Sequence, residues 1–234
     1  FKLKCLLKYK NTAIILFRGI EMKMVSGMLK KYKLSSPSLD LGSGDGFISS
    51  ILFKKRFDIG VDNDENKDTL LAIKNKRYKK VLIESAEKMS VKKKSLNFVF
   101  SNSVIEHIPN NKAVLSEVSR VLKPGGYFIF TCPSVYFTQF LSEKYSSVYA
   151  SLRNKQLNHF HLLNHKQWTK RLNKVNLEVI NFTYYTTKTE LLVWEKLVWL
   201  NKIKDFFGIS SKSNRKAEIA KIKSIVDFSK TSKK

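Results

Sequence analysis

The hydrophobic and polar positions of this chain fall into blocks that alternate between strand-like and helix-like periods. Leu39 and Leu41 alternate with Ser38 and Asp40, as in a strand entering a sheet. Gly42, Gly44 and Gly46 follow, and then Ile48, Ile51 and Leu52 recur at helical spacing. Phe57–Asp64 predicts a second strand ending in acid. Asn66–Lys76 predicts a helix with Leu70, Leu71 and Ile73 inward, and Val81–Ile83 a buried third strand. Leu96, Phe98, Val99 and Phe100 mark a fourth strand over Ser95–Val104. Asn110–Leu122 reads as a helix with Val114, Leu115, Val118, Val121 and Leu122 inward, stopped by Lys123-Pro124-Gly125-Gly126. Tyr127–Thr131 is the fifth strand. This βαβαβαβαβ order predicts a parallel sheet with right-handed crossovers.

The flanks are different. Residues 14–34 carry Ile15, Leu16, Ile20, Met24, Met28 and Leu29 among lysines, which predicts one or two amphipathic helices on the sheet edge or over the ligand. Ser35-Ser36-Pro37 breaks that pattern. Residues 135–163 are aromatic without a clear period, as a substrate lid would be. His165–Val175 reads as a helix around Trp168 and Leu172, and Leu177–Tyr184 alternates as a sixth strand. Leu191–Phe207 is apolar on one side with lysines between. It fits a helix capping the sheet, or a basic helix making peripheral membrane contact through 191–207 with Trp194 and Trp199 at the headgroups. Residues 210–234 are rich in Ser and Lys and read as loose, apart from a periodic piece at 219–228. The chain thus divides into an N-terminal helical segment (1–34), a central domain (35–185), and an amphipathic helix with a basic tail (186–234). The fold class is α/β: a mostly parallel sheet with helices on both faces, plus N-terminal and C-terminal helical additions.

Composition narrows the class. A chain of 234 residues with 43% hydrophobic content suits one substantial domain. The two cysteines, Cys5 and Cys132, argue against a disulfide scaffold and suit a reducing cytosol, so a cytoplasmic location, with membrane association as an addition, is expected. No run reaches the roughly 18 apolar residues of a spanning helix. Ala13–Phe17 is too short for a signal peptide. The chain starts at Phe1, so the natural N-terminus is expected upstream. The net charge of +25, from 44 Lys+Arg against 19 Asp+Glu, would ordinarily indicate nucleic acid or anionic membrane. Lysine greatly outnumbers arginine here and is spread through every segment, whereas specific phosphate recognition favours arginine forks. Nucleic acid is therefore the alternative partner.

The chemistry concentrates at Asp40–Phe47 and Asp62. A glycine turn feeding a helix start lets backbone approach a ligand closely. Asp62 follows Gly46 at close to the roughly 20-residue spacing at which an acid meets ribose hydroxyls. A carboxylate suits a vicinal diol. Dinucleotide loops read G-x-G-x-x-G and hold pyrophosphate, but Phe47 stands in place of the third glycine and Asp40 and Asp45 flank the loop. Acid beside a phosphate would repel it, and acid beside a ligand carrying an ammonium and a sulfonium would not.

Asp40-Leu41-Gly42-Ser43-Gly44-Asp45-Gly46 resembles motif I of class I S-adenosylmethionine-dependent methyltransferases. Val99–Pro109 (VFSNSVIEHIP) and Glu117–Gly126 (EVSRVLKPGG) look like their type-11 branch, and the likeness extends over roughly residues 18–185. The resemblance implies a Rossmann-like fold and S-adenosyl-L-methionine as cofactor. It implies that Asp40, Gly42, Ser43, Gly44 and Gly46 bind the cofactor, with Asp40, Gly42 and Gly44 along its methionine part. Asp62 would hold the ribose, with Asn63 beside the adenine and Ala86 and Glu87 bordering it. Ser101, Asn102 and Ser103 would lie under the methyl-donor end, with Glu106 and His107 near its mouth. Two departures are Ser85 and Asn97, where the family often carries Asp.

His107 is the first candidate for a catalytic base; His159, His161 and His165 are candidates to orient substrate or to pack, and no metal site is expected. Thr131-Cys132-Pro133-Ser134 superficially resembles the nucleophile region of RNA cytosine-C5 methyltransferases. Their Pro-Cys pair after strand four is replaced by Ser101-Asn102-Ser103, however, and the Asp/Asn-Pro-Pro-Tyr block of nucleic-acid amino methyltransferases is absent. The expected function is methyl transfer by direct displacement to a small-molecule, lipid-linked or sugar-linked (glycan) acceptor. The alternatives are an RNA or other nucleic-acid methyltransferase and a non-catalytic membrane-associated module.

Overall fold

The computed structural model describes Tyr9 and residues 11–207. The expected loose tail at 210–234, its periodic piece, and Cys5 lie outside the described residues. In chain order the elements begin with α1 (Thr12–Met28), β1 (Ser38–Leu41), α2 (Phe47–Leu52), β2 (Phe57–Asp62), α3 (Lys67–Lys74) and β3 (Tyr78–Ile83). There follow β4 (Leu96–Asn102), a 3-10 turn at Ile105–His107, α4 (Asn111–Val121) and β5 (Leu122–Thr131). The last are α5 (Val135–Lys144), α6 (Ser147–Gln156), α7 (His165–Asn173) and α8 (Lys188–Phe206).

Residues 31–182 form one unit. Its five strands pair in parallel in the order β3-β2-β1-β4-β5, the expected Rossmann-like sheet. All four residues of the central β1 are buried, as parallel strands covered on both faces must be. The two faces are chemically distinct. Phe98 and Phe100 of β4 point to an aromatic cluster with Phe57 and Phe53, whose rings meet edge-on at 4.8 Å. Val99, between them, joins Leu39, Leu41 and Val61 against Val114, Val118 and Val121 of α4. Each such side chain contributes about 1.5–3 kcal/mol when fully buried.

Several expectations are corrected. In α3 the buried residues are Thr69 and Ala72, while Leu70 and Ile73 are exposed. Strand β3 is the sheet edge, so Val81 and Leu82 are half-buried and Ile83 is exposed. No helix joins β3 to β4. That loop is held instead by Met89 N–H on Glu117 (2.6 Å) and by Arg120 on the Val91 carbonyl (2.7 Å). Strand β5 starts at Leu122, paired opposite Leu96, rather than after the glycines. The aromatic segment after β5 is largely helical, because Ser134 and Ser146 cap α5 and α6. Leu177–Tyr184 is not a strand. A groove of about 940 Å³ lies between its first residues and β5, while Leu177, Val179 and Phe182 pack around Trp168 and Leu172. Its alternation serves side-chain packing rather than ladder pairing.

Among the described residues the second unit comprises Tyr9, 11–30 and 183–207, stretches far apart in sequence. Within it α1 packs on α8. Phe17 and Trp194 are 6.1 Å apart between ring centroids, and Asn201 donates to Asn11 at 2.8 Å. Buried Glu21 takes Arg18 at 2.6 Å. Thr187 and Glu190 close a capping box at the start of α8. Among the described residues no helix is long and apolar enough to cross a membrane.

Candidate functional site

Strand β1 ends at Leu41 and the chain reverses through Gly42–Gly46 into α2. The Gly42 and Ser43 amides both donate to the Val61 carbonyl, at 2.8 and 3.0 Å. The Gly44 amide donates to Asp62 Oδ2 at 2.8 Å, and Asp62 Oδ1 accepts from the Asn63 amide at 3.0 Å. The loop and the end of β2 are therefore one structure. Gly42 has φ +71°, and a Cβ there would lie 2.2 Å from Val104 Cγ2. Only glycine satisfies both conditions.

Beneath the loop lies a buried polar cluster. Tyr78 of β3 crosses Gly60, where a Cβ would stand 2.8 Å from Tyr78 Cδ2. The Tyr78 hydroxyl donates to Asp40 Oδ2 at 2.6 Å and lies 3.2 Å from the Ser43 carbonyl. Ser49 of α2 donates to the same carboxylate oxygen. Burial pushes the Asp40 carboxyl up to about 7, against the hydrogen bonds from Ser49 and Tyr78, and the Asp62 charge adds to the rise. Burial and then the Asp40 charge raise the Tyr78 phenol. Asp40, expected along the methionine part of the cofactor, thus also braces the loop from below through Ser49 and Tyr78.

This cluster has a pH signature. Asp40 titrates near 3.8 when unfolded and near 7 when folded, so between those values the folded chain holds a proton that the unfolded chain lacks. Its contribution to stability is fully present below 3.8 and is lost as the pH rises through about 7. Tyr78→Phe removes a bond that favours the ionised carboxylate. Urea melts across pH 5 to 9 should show that variant about 1 kcal/mol less stable at the alkaline end, with its pH-dependent loss extending higher. Superimposable pH profiles would show that the hydroxyl does not support the carboxylate.

The end of β4 supplies the floor. Asn102 Nδ2 donates to Thr131 Oγ1 at 2.8 Å, and the Ser103 amide donates to the Thr131 carbonyl at 3.0 Å. Ser43 Oγ, Ser101 Oγ and Asn102 Oδ1 are buried without a hydrogen-bond partner. Buried polar groups are ordinarily paired, so orphaned atoms at the ends of β1 and β4 fit a polar ligand. The Glu84 amide donates to the Asp62 carbonyl at 2.8 Å, which brings 84–87 beside Asp62. Ala86 is half-buried against the core, and Glu87 and Asn63 are exposed. The glycine loop, Asp62, Asn63, residues 84–87 and residues 101–103 thus share the C-terminal edge of the sheet. That edge reverses order between β1 and β4, where open α/β sheets bind ligands.

The histidines divide into two sets. His107 Nδ1 donates to the Asn158 carbonyl at 3.2 Å, and its Nε2 lies 3.7 Å from buried Glu106 Oε1. The His107 and His159 rings are 5.5 Å apart. Burial, then the charges of His107 and Arg153, push His159 down to about 4. His161 donates to the Pro109 carbonyl at 2.7 Å, and His165 stacks on Phe182 at 4.3 Å, so both serve packing. Among the described residues no group of His, Cys, Asp and Glu could hold a metal ion. Cys132 is half-buried against the Trp168 cluster. Tyr78, Ser49, Val104 and Thr131 were not anticipated as site residues. The one available signal was Gly60, because a glycine inside a strand marks a close neighbour.

Residues 39–130 match a family model described as a methyltransferase domain. Among curated proteins the chain is 34% identical over 101 residues to an uncharacterized Methanocaldococcus jannaschii protein, covering 43% of this chain and 46% of the relative. It is 30% identical over 112 residues to the sarcosine/dimethylglycine N-methyltransferase of Aphanothece halophytica, covering 45% of this chain and 40% of that one. The chain spans less than half the length of the curated relatives it matches. Among solved structures, a Haemonchus contortus phosphoethanolamine N-methyltransferase in complex with S-adenosyl-L-methionine superposes with a TM-score of 0.59. It shares 22% identity and covers 88% of this chain and 48% of that chain. At that identity the likeness is one of fold.

Proposed function

We propose, from the match of residues 39–130 to a methyltransferase-domain model and from the glycine loop with Asp62, that the chain is a class I S-adenosyl-L-methionine-dependent methyltransferase of the type-11 branch that methylates a small-molecule acceptor by direct displacement. The observation that carries this reading is Asp62 holding the Gly44 amide at 2.8 Å beside the orphaned polar atoms of Ser43, Ser101 and Asn102. An ionised carboxylate has about four acceptor sites. Those that the two amides leave open suit the ribose diol. When bound, S-adenosyl-L-methionine supplies a methyl carbon that the acceptor's lone pair attacks while the carbon–sulfur pair stays on sulfur, giving a neutral thioether.

The protein's part is alignment and exclusion of water. The Asn102–Thr131 hydrogen bond fixes the floor under the donor end. His107 commits its Nδ1–H to Asn158 and keeps Nε2 for a proton, with the Glu106 carboxylate near to stabilise the imidazolium. This suits an acceptor that must lose a proton on attack. Burial keeps neighbouring His159 neutral. A nitrogen acceptor is the first class to test, because dimethylglycine, sarcosine and phosphoethanolamine appear in the names of similar enzymes. Lipid-linked and sugar-linked acceptors come next.

Calorimetric titration of the full chain with S-adenosyl-L-methionine should show saturable binding. Labelled cofactor should then transfer its methyl group to one class in a panel of amines, lipid-linked acceptors and sugar-linked acceptors. A folded chain that shows no heat of binding refutes the proposal.

A further inference from the structure

Helix α8 ends in a stripe of large apolar side chains that point to solvent. Trp199, Leu200, Ile203, Phe206 and Phe207 are all exposed, Phe206 at 84% and Phe207 at 68%. Spacings of one, four, seven and eight from Trp199 put them on one arc of the helix. The earlier turns behave differently: Leu191 and Glu195 are buried, and Trp194 faces Phe17 of α1. The two tryptophans that the sequence placed together at headgroups are thus divided, Trp194 within the unit and Trp199 at its surface.

The charges bordering the stripe are lysines, and the one acid of the last turns, Asp205, falls on the far side of the helix at helical spacing. Lys202 and Lys204 flank it on either side, Lys196 stands one turn back, and Lys202 Nζ sits 4.9 Å from the Trp199 ring centroid. The sequence after Phe207 is predominantly basic, ends in Lys233-Lys234, and has Glu218 and Asp227 as its acids. A second copy of the chain placed against this face would bring lysine against lysine in a molecule of net charge +25. An apolar aromatic stripe between cations matches an anionic lipid surface instead: aromatic rings suit the headgroup boundary, and each nearby lysine adds attraction.

We propose that the C-terminal half of α8 lies on an anionic lipid bilayer, with Leu200, Ile203, Phe206 and Phe207 in the headgroup–acyl boundary and Lys196 and Lys202 on lipid phosphates. The contact lies along the surface, since no described helix is long and apolar enough to cross. It is independent of the cofactor site.

The test uses the full chain in flotation with vesicles of mixed phosphatidylglycerol and phosphatidylcholine, or of phosphatidylcholine alone. The chain should float with the mixed vesicles, not with phosphatidylcholine alone, and more weakly in high salt. Ile203→Ser combined with Phe206→Ser and Phe207→Ser should lower partitioning by about tenfold or more and leave cofactor affinity unchanged. On the otherwise intact chain, brominated lipid should quench tryptophan emission, and Trp199→Phe should remove that quenching. The proposal is overturned if the wild-type chain ignores the mixed vesicles, if the serine variant floats equally well, or if Trp199→Phe leaves the quenching intact. It is also overturned if sedimentation shows a dimer that the serine variant dissolves, because a second copy would then cover the stripe.

Discussion

Replacing Gly42 by alanine is expected to abolish measurable cofactor binding at ordinary concentrations and to destabilise the chain by roughly 2–5 kcal/mol. Two independent costs meet at this position. The backbone sits at φ +71°, where a side chain costs about 1–2 kcal/mol. The added carbon would also stand 2.2 Å from one Val104 methyl and 2.7 Å from the other. Val104 has little room to retreat, because the next residue, Ile105, is fully buried against Leu115 and Trp168. Relief would come from moving the loop, which would displace the Gly44 amide from Asp62. Urea melts measure the first effect and calorimetry the second. Adding Val104→Ala should restore the part of the loss due to crowding and leave the part due to the backbone. Wild-type stability and affinity in Gly42→Ala would show that the turn does not need glycine.

Asp62→Ala should weaken binding of S-adenosyl-L-methionine on the order of 100-fold, or about 2.7 kcal/mol, while changing stability by only about 1 kcal/mol. The asymmetry follows from position. The amides of Gly44 and Asn63 lie at the half-exposed edge of the sheet, so water can replace the carboxylate for them, but not its placement against a ribose. S-adenosylhomocysteine should lose as much affinity as the methyl donor, because both carry the ribose. If only the sulfonium compound weakened, Asp62 would act through charge instead. Asp62→Asn, which keeps an acceptor oxygen but not the charge, should fall between the two.

The central strands were legible because burial on both faces leaves an unambiguous apolar record. Leu39, Leu41, Phe98, Val99 and Phe100 read as strands and are strands. The edges were not. Leu70 and Ile73 fit a helical period but face solvent, because α3 rests on Thr69 and Ala72. The alternation at Leu177–Phe182 fitted a strand, yet it serves to pack around Trp168. The loop residues of the site were legible from the glycines, whose spacing has few other uses. Their support was not: Tyr78 reaches Asp40 from 38 positions away, a pairing that only strand order creates. Nor could periodicity reveal which turns of the last amphipathic helix meet α1, since that depends on how the two helices pair.

Tyr78 hangs from β3, an edge strand with a neighbour on one side only among the described residues. Edge strands fray at a lower free energy than the strands they flank. Each fraying event withdraws the hydroxyl from Asp40 and frees the Ser43 carbonyl, so the loop slackens while β1 and β4 stay zipped. On warming, the loop is therefore expected to slacken before the sheet as a whole melts, so that on the proposed function the temperature ceiling for cofactor capture would be set at the margin of the domain rather than at its heart.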